Sequence, residues 1–420
     1  MSAQGGVLSP PTRVPAPSGS IRAQLRRAGR MRTVGALALV APLLVFILVT
    51  FVAPIGGMLW RSVDDREVAA VMPRTITALR GWDGQGIPAD AVYRATAEDL
   101  AEAHANGTAS LAARRLNYDI SGLRTLVMST ARHPPAADAA DIRVAFADID
   151  PRWNERATWA AVRRASGPLT SFYLLAALDL QRDASNAIAR VPEDRAIYLD
   201  VLGRTFRVSL TVTLLCLILG FPVAYLMSTQ PAKTANLLMI LVLLPFWTSL
   251  LVRTAAWIVL LQNEGLVNHL LLWLRIIDAP IKLIYNSIGV HVAMTHVLLP
   301  FMILPLYATM KAINPQYMRA AISLGAPPPV AFMRVYLPLC VPGIAAGCLL
   351  VFILAIGYYI TPALVGGASD QMISYFIAFY TTDSVNWGMA SALGAVLLAA
   401  TLILYGVYGR LVGDGAIRIR

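Results

Sequence analysis

Six stretches of the chain stay apolar for about 20 residues or more with almost no charge inside them: 34–60, 206–227, 237–261, 288–310, 341–360 and 389–411. A hydrocarbon core about 30 Å thick is spanned by roughly 20 residues of helix rising 1.5 Å each, so each stretch is predicted to be a transmembrane helix. Between the first and the second, the pattern changes to short helical periods separated by turn residues. Pro88-Ala89-Asp90 is set to open a helix running to His104, and Ser121 to cap one over 123–131. Asp150-Pro151 opens a run through Trp153 and Trp159 to Arg164, and 170–187 is again periodic at helical spacing. Strand-like alternation is scarce there, and Gly81 to Gly86 reads as a turn. The predicted fold class is an all-α polytopic membrane protein with six transmembrane helices and a helical insert between the first and second.

Charge adds an orientation. The insert, 61–200, holds 17 basic and 19 acidic residues, whereas everything outside it holds 18 basic and 5 acidic residues, so the net charge of +11 comes from the flanks of the spans. That distribution reads as membrane topology rather than a nucleic-acid surface. Residues 1–32 carry six arginines and no acid among Pro, Ser and Gly, the composition of a disordered cytoplasmic arm. Counting crossings from there puts Lys233, Lys311, Arg319, Arg334 and Arg410 on the cytoplasmic side. Glu264, Asp278, Asp370 and Asp383 then face the periplasm, as does the whole insert. The expected order is a cytoplasmic arm (1–32), a retained first helix (33–60), a periplasmic insert (61–200), a core of five helices (201–412) and a cytoplasmic tail (413–420), in a bacterial inner membrane. The first apolar run is too long, and too far from the start, for a cleaved signal. Cys216, Cys340 and Cys348 lie in or beside apolar runs at no metal-ligand spacing, so neither a disulfide nor a zinc framework is expected.

The loop after the fourth span carries the most specific pattern. It reads Asn314-Pro-Gln-Tyr-Met-Arg-Ala-Ala-Ile-Ser-Leu-Gly325 and continues to Val335-Tyr-Leu-Pro338. Asn314 is a good N-cap, Pro315 fits the first helical position and Gly325 can take the left-handed turn that ends a helix, so a short helix of about three turns is predicted. Tyr317, Ala320, Ala321 and Leu324 fall on one face, with Arg319 to the side. A helix this short is not stable alone in water and needs a surface to pack on.

Ala320-Ala321, Gly325, Leu337 and Pro338 resemble the EAA loop of ABC importer permeases, the binding-protein-dependent type, whose short coupling helix sits in a groove of the ATPase. Leu244 to Trp257, Leu261 to Asn268, Phe301 to Tyr307 and Pro362 to Gly367 are similar to the spermidine/putrescine branch of that family. The resemblance covers 198–410 and, more weakly, the first span; the insert is longer than expected of the plain polyamine subunits. It implies a transport subunit rather than an enzyme, with ATP and Mg on partner ATPase subunits and no cofactor on this chain. It also implies a second permease chain, an ATPase dimer and a periplasmic solute-binding protein as partners. Two departures stand out: Arg319 replaces the motif's glutamate, and Gly357 to Tyr359 with Pro362-Ala363 stand where polyamine permeases tend to have glutamates. The first removes a salt bridge to the ATPase, unless its charge has changed or the other half of a heterodimer keeps the acid. The second argues against a dication.

Several residues carry two readings. The loop is either an ATPase dock or an amphipathic connector on the membrane surface. Trp247, Arg253 and Trp257 either line a translocation path, where an arginine is costly unless it faces water or a partner, or form an aromatic belt with a snorkelling arginine. Glu264 either meets a cationic solute or ends a helix before Gly265, and Tyr358 and Tyr359 either line a niche in a broken helix or sit at the interface. His291 and His296 are five residues apart, not the spacing of a metal pair, and read as packing histidines. Phosphate-loop, nucleophile-elbow and zinc-helix motifs are absent from the sequence. The expected function is ATP-driven import of a small polar solute, a polyamine or a related compound; the alternative is an ATPase-independent channel or secondary transporter.

Overall fold

A computed structural model describes residues 38–183 and 187–417, with side chains as far as 410. The chain divides into two compact units, Met1–Met58 and Leu59–Arg420. In the first, helix α1 (Ala38–Arg61) is apolar along its length, and a π-helical turn widens it at Leu48–Val52. Its apolar side chains are exposed along nearly all of its length, as expected of a helix whose solvent is lipid.

The polar segment that follows folds around its own core. It contains α2 (Arg66–Val71), α3 (Pro73–Leu79), α4 (Asp90–Ala105), α5 (Ala109–Asp119), α6 (Leu123–Arg132), α7 (Ile142–Ile149) and α8 (Arg156–Arg164). Tyr93, Phe146, Trp153 and Trp159 meet edge-on or tilted at the centre, with ring centroids 4.7–5.3 Å apart. Every polar handle in that cluster is satisfied: Trp159 Nε1 donates to Trp153 O (2.7 Å), Trp153 Nε1 to Thr130 Oγ1 (2.8 Å), and Tyr93 Oη to Trp153 O (2.8 Å). Asp150 caps the short 3-10 turn Pro151–Asn154 through Arg152 N (3.0 Å) rather than opening one long helix, so α8 starts anew at Arg156. Ser121 does not cap α6; Asn117, on the preceding helix, accepts from Gly122 N (2.8 Å) and Arg124 N (3.2 Å) instead.

The helix predicted over 170–187 breaks up. Only α9 (Phe172–Ala176) forms, followed by an antiparallel hairpin of β1 (Leu180–Arg182) and β2 (Ile188–Arg190). Asp179 turns the chain at φ 54° and its carboxylate accepts from the amides of Ile197, Tyr198 and Leu199, spending the side chain on the start of the next helix. The two ends of the insert are stitched together. Thr170 N donates to Val63 O (2.8 Å), Asp65 N donates to Pro168 O (3.1 Å), and Asp64 and Leu169 form a β-bridge. Beside them Arg115 holds Asp65 through two bonds of 2.6 Å, both side chains being 1% exposed.

The membrane bundle is built on α10 (Tyr198–Thr229), a bent pair α11 (Ala232–Leu243) and α12 (Leu250–Leu260), α13 (Leu266–Trp273), and α14 (Ser287–Ala312). Then follow α15 (Gln316–Ser323), α16 (Pro328–Ile356), α17 (Ile360–Val365), α18 (Ile373–Thr382) and α19 (Trp387–Ile417). Helices α10, α14 and α16 pack against one another as the core. They approach closely because of glycine: a Cβ at Gly347 would lie 2.7 Å from Met302 Sδ, and one at Gly343 would lie 2.6 Å from Thr309 Oγ1. α9 sits on α19, where Tyr173 covers Gly388 and Arg61 lies 5.4 Å over the Trp387 ring.

Among the described residues five helices are long and apolar enough to cross a membrane, and a sixth crossing exists if the bent pair is one span. The unbroken helix expected over 237–261 is therefore corrected: it breaks with a 95° bend. Pro245 lacks the amide to continue the ladder, Thr248 goes extended, and Ser249 starts α12 by accepting from Val252 N (3.2 Å).

Candidate functional site

The loop between α14 and α16 is short and strongly punctuated. Asn314 Oδ1 accepts from Gln316 N (2.9 Å) and its carbonyl from Tyr317 N (3.2 Å), so α15 starts under that cap. At the other end Gly325 takes φ 89°, Gly325 N donates to Ile322 O (2.9 Å) and Ala326 N to Ala321 O (3.1 Å), a Schellman closure. The resulting helix has 8 residues, about two turns rather than three.

Its two sides differ. Met318 packs inward against the bundle core, whereas Tyr317 is 56% and Leu324 89% exposed, Ala320 is exposed and Ala321 half-buried. Arg319 is exposed and makes no ion pair among the described residues. Leu337 and Pro338 do not end the loop. They lie inside α16, which begins at Pro328 and runs through a π-helical turn at Phe332–Tyr336. The wide turn falls just before Pro338, which has no amide to give and whose ring crowds a normal turn.

Around that turn lies a cluster that the sequence reading missed. Phe332 stacks on Tyr336 (5.4 Å, 21°), and Tyr225 of α10 meets both edge-on at 5.7 and 5.4 Å; Phe221 meets Phe332 at 6.3 Å. The signal was present as two aromatic pairs at i, i+4 spacing, Phe221/Tyr225 and Phe332/Tyr336. Through it, the base of α16 is tied to α10 directly beside α15.

Beside the bend, Arg253 and Trp257 lie one turn apart on α12. Arg253 on α12 is half-buried, and its Nε and Nη1 are buried without a hydrogen-bond partner. One turn on, Trp257 Nε1 donates to His296 Nδ1 (3.1 Å), which fixes that nitrogen as an acceptor, and the rings meet at 5.4 Å. Tyr358 lies within electrostatic reach of Arg253, and Thr254 and Thr361 pair their hydroxyls (3.3 Å) where α12 meets α17. Trp257 is thus paired with His296, which the candidate path did not include. Trp247 (77% exposed) stands on the 3-10 turn before the bend, Glu264 is exposed on the turn before α13, and Tyr359 (41% exposed) contacts Tyr375. An unpaired arginine at membrane depth is costly, and Arg253 makes no ion pair among the described residues.

A family model described as the binding-protein-dependent transport system inner membrane component matches residues 214–413. That span holds the bend, the loop and α16, and leaves the insert outside. The spermidine/putrescine transport system permease protein PotB of Escherichia coli (strain K12) is 35% identical over 214 residues, covering 51% of this chain and 78% of the relative. The protein of the same description from Haemophilus influenzae is 39% identical over 209 residues, covering 49% of this chain and 73% of the relative. A solved bacterial alginate ABC transporter, in complex with an alginate-bound periplasmic protein, aligns at 19% identity with a TM-score of 0.41, over 51% of this chain and 77% of the other. That last likeness is too low to carry an argument. The two relatives and the family match agree on the half of the chain that bears the loop and the bend, and the chain belongs to the inner-membrane permeases of binding-protein-dependent ABC importers.

Proposed function

We propose that the chain is one of two different permease subunits of an importer for a polyamine or a closely related small polar solute, and that α15 is its dock for the ATPase. The observation that carries the docking role is the capped, isolated helix whose outward face exposes Tyr317 and Leu324 while Met318 anchors it inward. Large apolar side chains left exposed on a helix this short mark a surface that another protein covers. With Arg319 in place of an acid, the grip rests on packing. ATP and Mg belong to the ATPase subunits. Their closure would press α15 against the π-helical turn of α16, and the aromatic cluster would hand the movement to α10. ATP shifts the states only by its differential affinity for them.

The polyamine class comes from the relatives' names. A dication passing Arg253 needs compensating acids, and Arg253 makes no ion pair among the described residues. We assign those acids to the second permease chain, which makes the pair a heterodimer. The bent pair counts as one span, giving six crossings with both termini cytoplasmic and the insert periplasmic, where it can meet the solute-binding protein.

Orientation is tested by whole-cell labelling with a membrane-impermeant maleimide. Ser110→Cys in the insert should label in intact cells and Ser323→Cys on α15 only after permeabilisation; the reverse pattern defeats the topology. Function is tested by uptake of radiolabelled spermidine in proteoliposomes holding both permeases, the ATPase and the binding protein. Uptake without ATP would favour the channel alternative.

A further inference from the structure

A cavity of about 710 Å³ opens between the helical insert and the start of α10, away from the bend and the loop. It is a suitable size for a small molecule. Its charged lining is six arginines (Arg115, Arg156, Arg163, Arg164, Arg182, Arg195) against Asp83, Asp119 and Asp179. The acids are already committed. Asp179 accepts from three backbone amides at the start of α10, Asp119 from Arg164 Nε (3.1 Å), and Asp83 from Gln85 N (2.8 Å).

Two of the six arginines stand without an ion pair among the described residues. Arg163 makes no ion pair among the described residues and lies 5.8 Å over the Trp82 ring, and exposed Arg195 likewise makes none. Arg115 forms the rear wall. Asp65 takes its Nε and Nη2, Phe172 lies 4.7 Å from the guanidinium, and Nη1 is buried with no hydrogen-bond partner. Such a group in a native fold calls for an acceptor.

We propose that this cavity is a binding site for a small organic or inorganic anion bearing carboxylate or phosphate groups, held by Arg163 and Arg195 at its rim. Forked guanidinium donors suit both groups, and the rings of Trp82 and Phe172 line the same cavity. The site lies apart from the bend and the loop, and Arg163 and Arg195 at its edge disfavour a polycation. It stands whichever solute the importer carries.

The test uses the full chain in phosphatidylcholine nanodiscs, titrated with citrate, inorganic phosphate and spermidine and read by thermal unfolding and calorimetry. Citrate or phosphate should bind saturably and raise the melting temperature, and spermidine should do neither. The double variant Arg163→Ser/Arg195→Ser should weaken the apparent affinity by roughly tenfold or more, the scale of losing a charge-assisted hydrogen bond. Arg80→Ser, an exposed arginine outside the cavity, should leave it unchanged. If binding appears only in nanodiscs containing phosphatidylglycerol and is lost in the double variant, the anion is a lipid headgroup. No saturable binding in either nanodisc overturns the proposal, as does a double variant that binds like the parent chain.

Discussion

Leu324 offers a clean perturbation of the docking surface. Its side chain is 89% exposed at the end of α15, one residue before the Gly325 turn, so Leu324→Ser removes apolar surface without opening a hole in this chain. If the ATPase covers that position, the lost transfer energy is that of a buried leucine, about 1.5–3 kcal/mol. Taking about 2 kcal/mol, at 1.4 kcal/mol per factor of ten, the affinity should fall roughly 30-fold. The assay titrates the purified ATPase onto the permease in nanodiscs by surface plasmon resonance, with solute-stimulated ATP hydrolysis measured in parallel. The melting temperature of the permease should stay within a degree or so of the parent, since nothing in the folded chain loses a contact. An affinity within about threefold of the parent would mean that no partner covers Leu324, and the docking assignment of α15 would fall.

Four further outcomes follow from the same geometry. Gly325→Pro should abolish solute-stimulated ATP hydrolysis while the chain still inserts, because proline cannot hold φ 89° and removes the amide bonded to Ile322; normal coupling in a purified complex would contradict this. Asp65→Asn strands the buried Arg115 charge and should destabilise the insert by about 3–5 kcal/mol, seen as early protease cleavage between 66 and 167. Replacing 66–167 by a two-residue linker should leave ATPase binding intact in pull-downs, since Val63 and Thr170 already bond to each other; loss of the ATPase would make the insert part of the bundle's stability. Hydrogen bonding from Arg152 lowers the Asp150 pKa below its usual 3.8, so the stability it gives is present above 3.8 and is lost as pH falls through the lowered value. Melting of Asp150→Asn and of the parent should therefore converge in acid, and a gap that persists there would remove the pair from the account.

Five of the spans and the caps around α15 were legible because their causes are local: apolar length makes a helix long enough to cross, and Asn314 and Gly325 act on amides within five residues of themselves. The bend between α11 and α12 was written in Pro245 and Ser249, but averaging apolarity over 25 residues hides a two-residue break. The residues 170–187 have a helical period, yet the helix stops at Ala176 and a strand starts at Leu180, because Asp179 is recruited by amides 18–20 positions away, which no local pattern reveals. The Tyr225–Phe332–Tyr336 cluster joins positions more than 100 residues apart and is likewise a product of packing. Of the candidate path, Arg253 and Trp257 share one face of α12 by their i, i+4 spacing, while Trp247 and Glu264 sit on turns whose direction depends on the bend.

The stitched ends of the insert also bear on how such a chain can change over generations. Because the outgoing segment returns to hydrogen-bond with the incoming one, the bundle meets the same two neighbouring anchor points whatever hangs between them. A single insertion or deletion at that point could therefore exchange the whole polar module without re-registering any membrane helix. The transport machinery and the module it carries are free to vary at different rates, provided that the latch at Asp64 and Leu169 is kept.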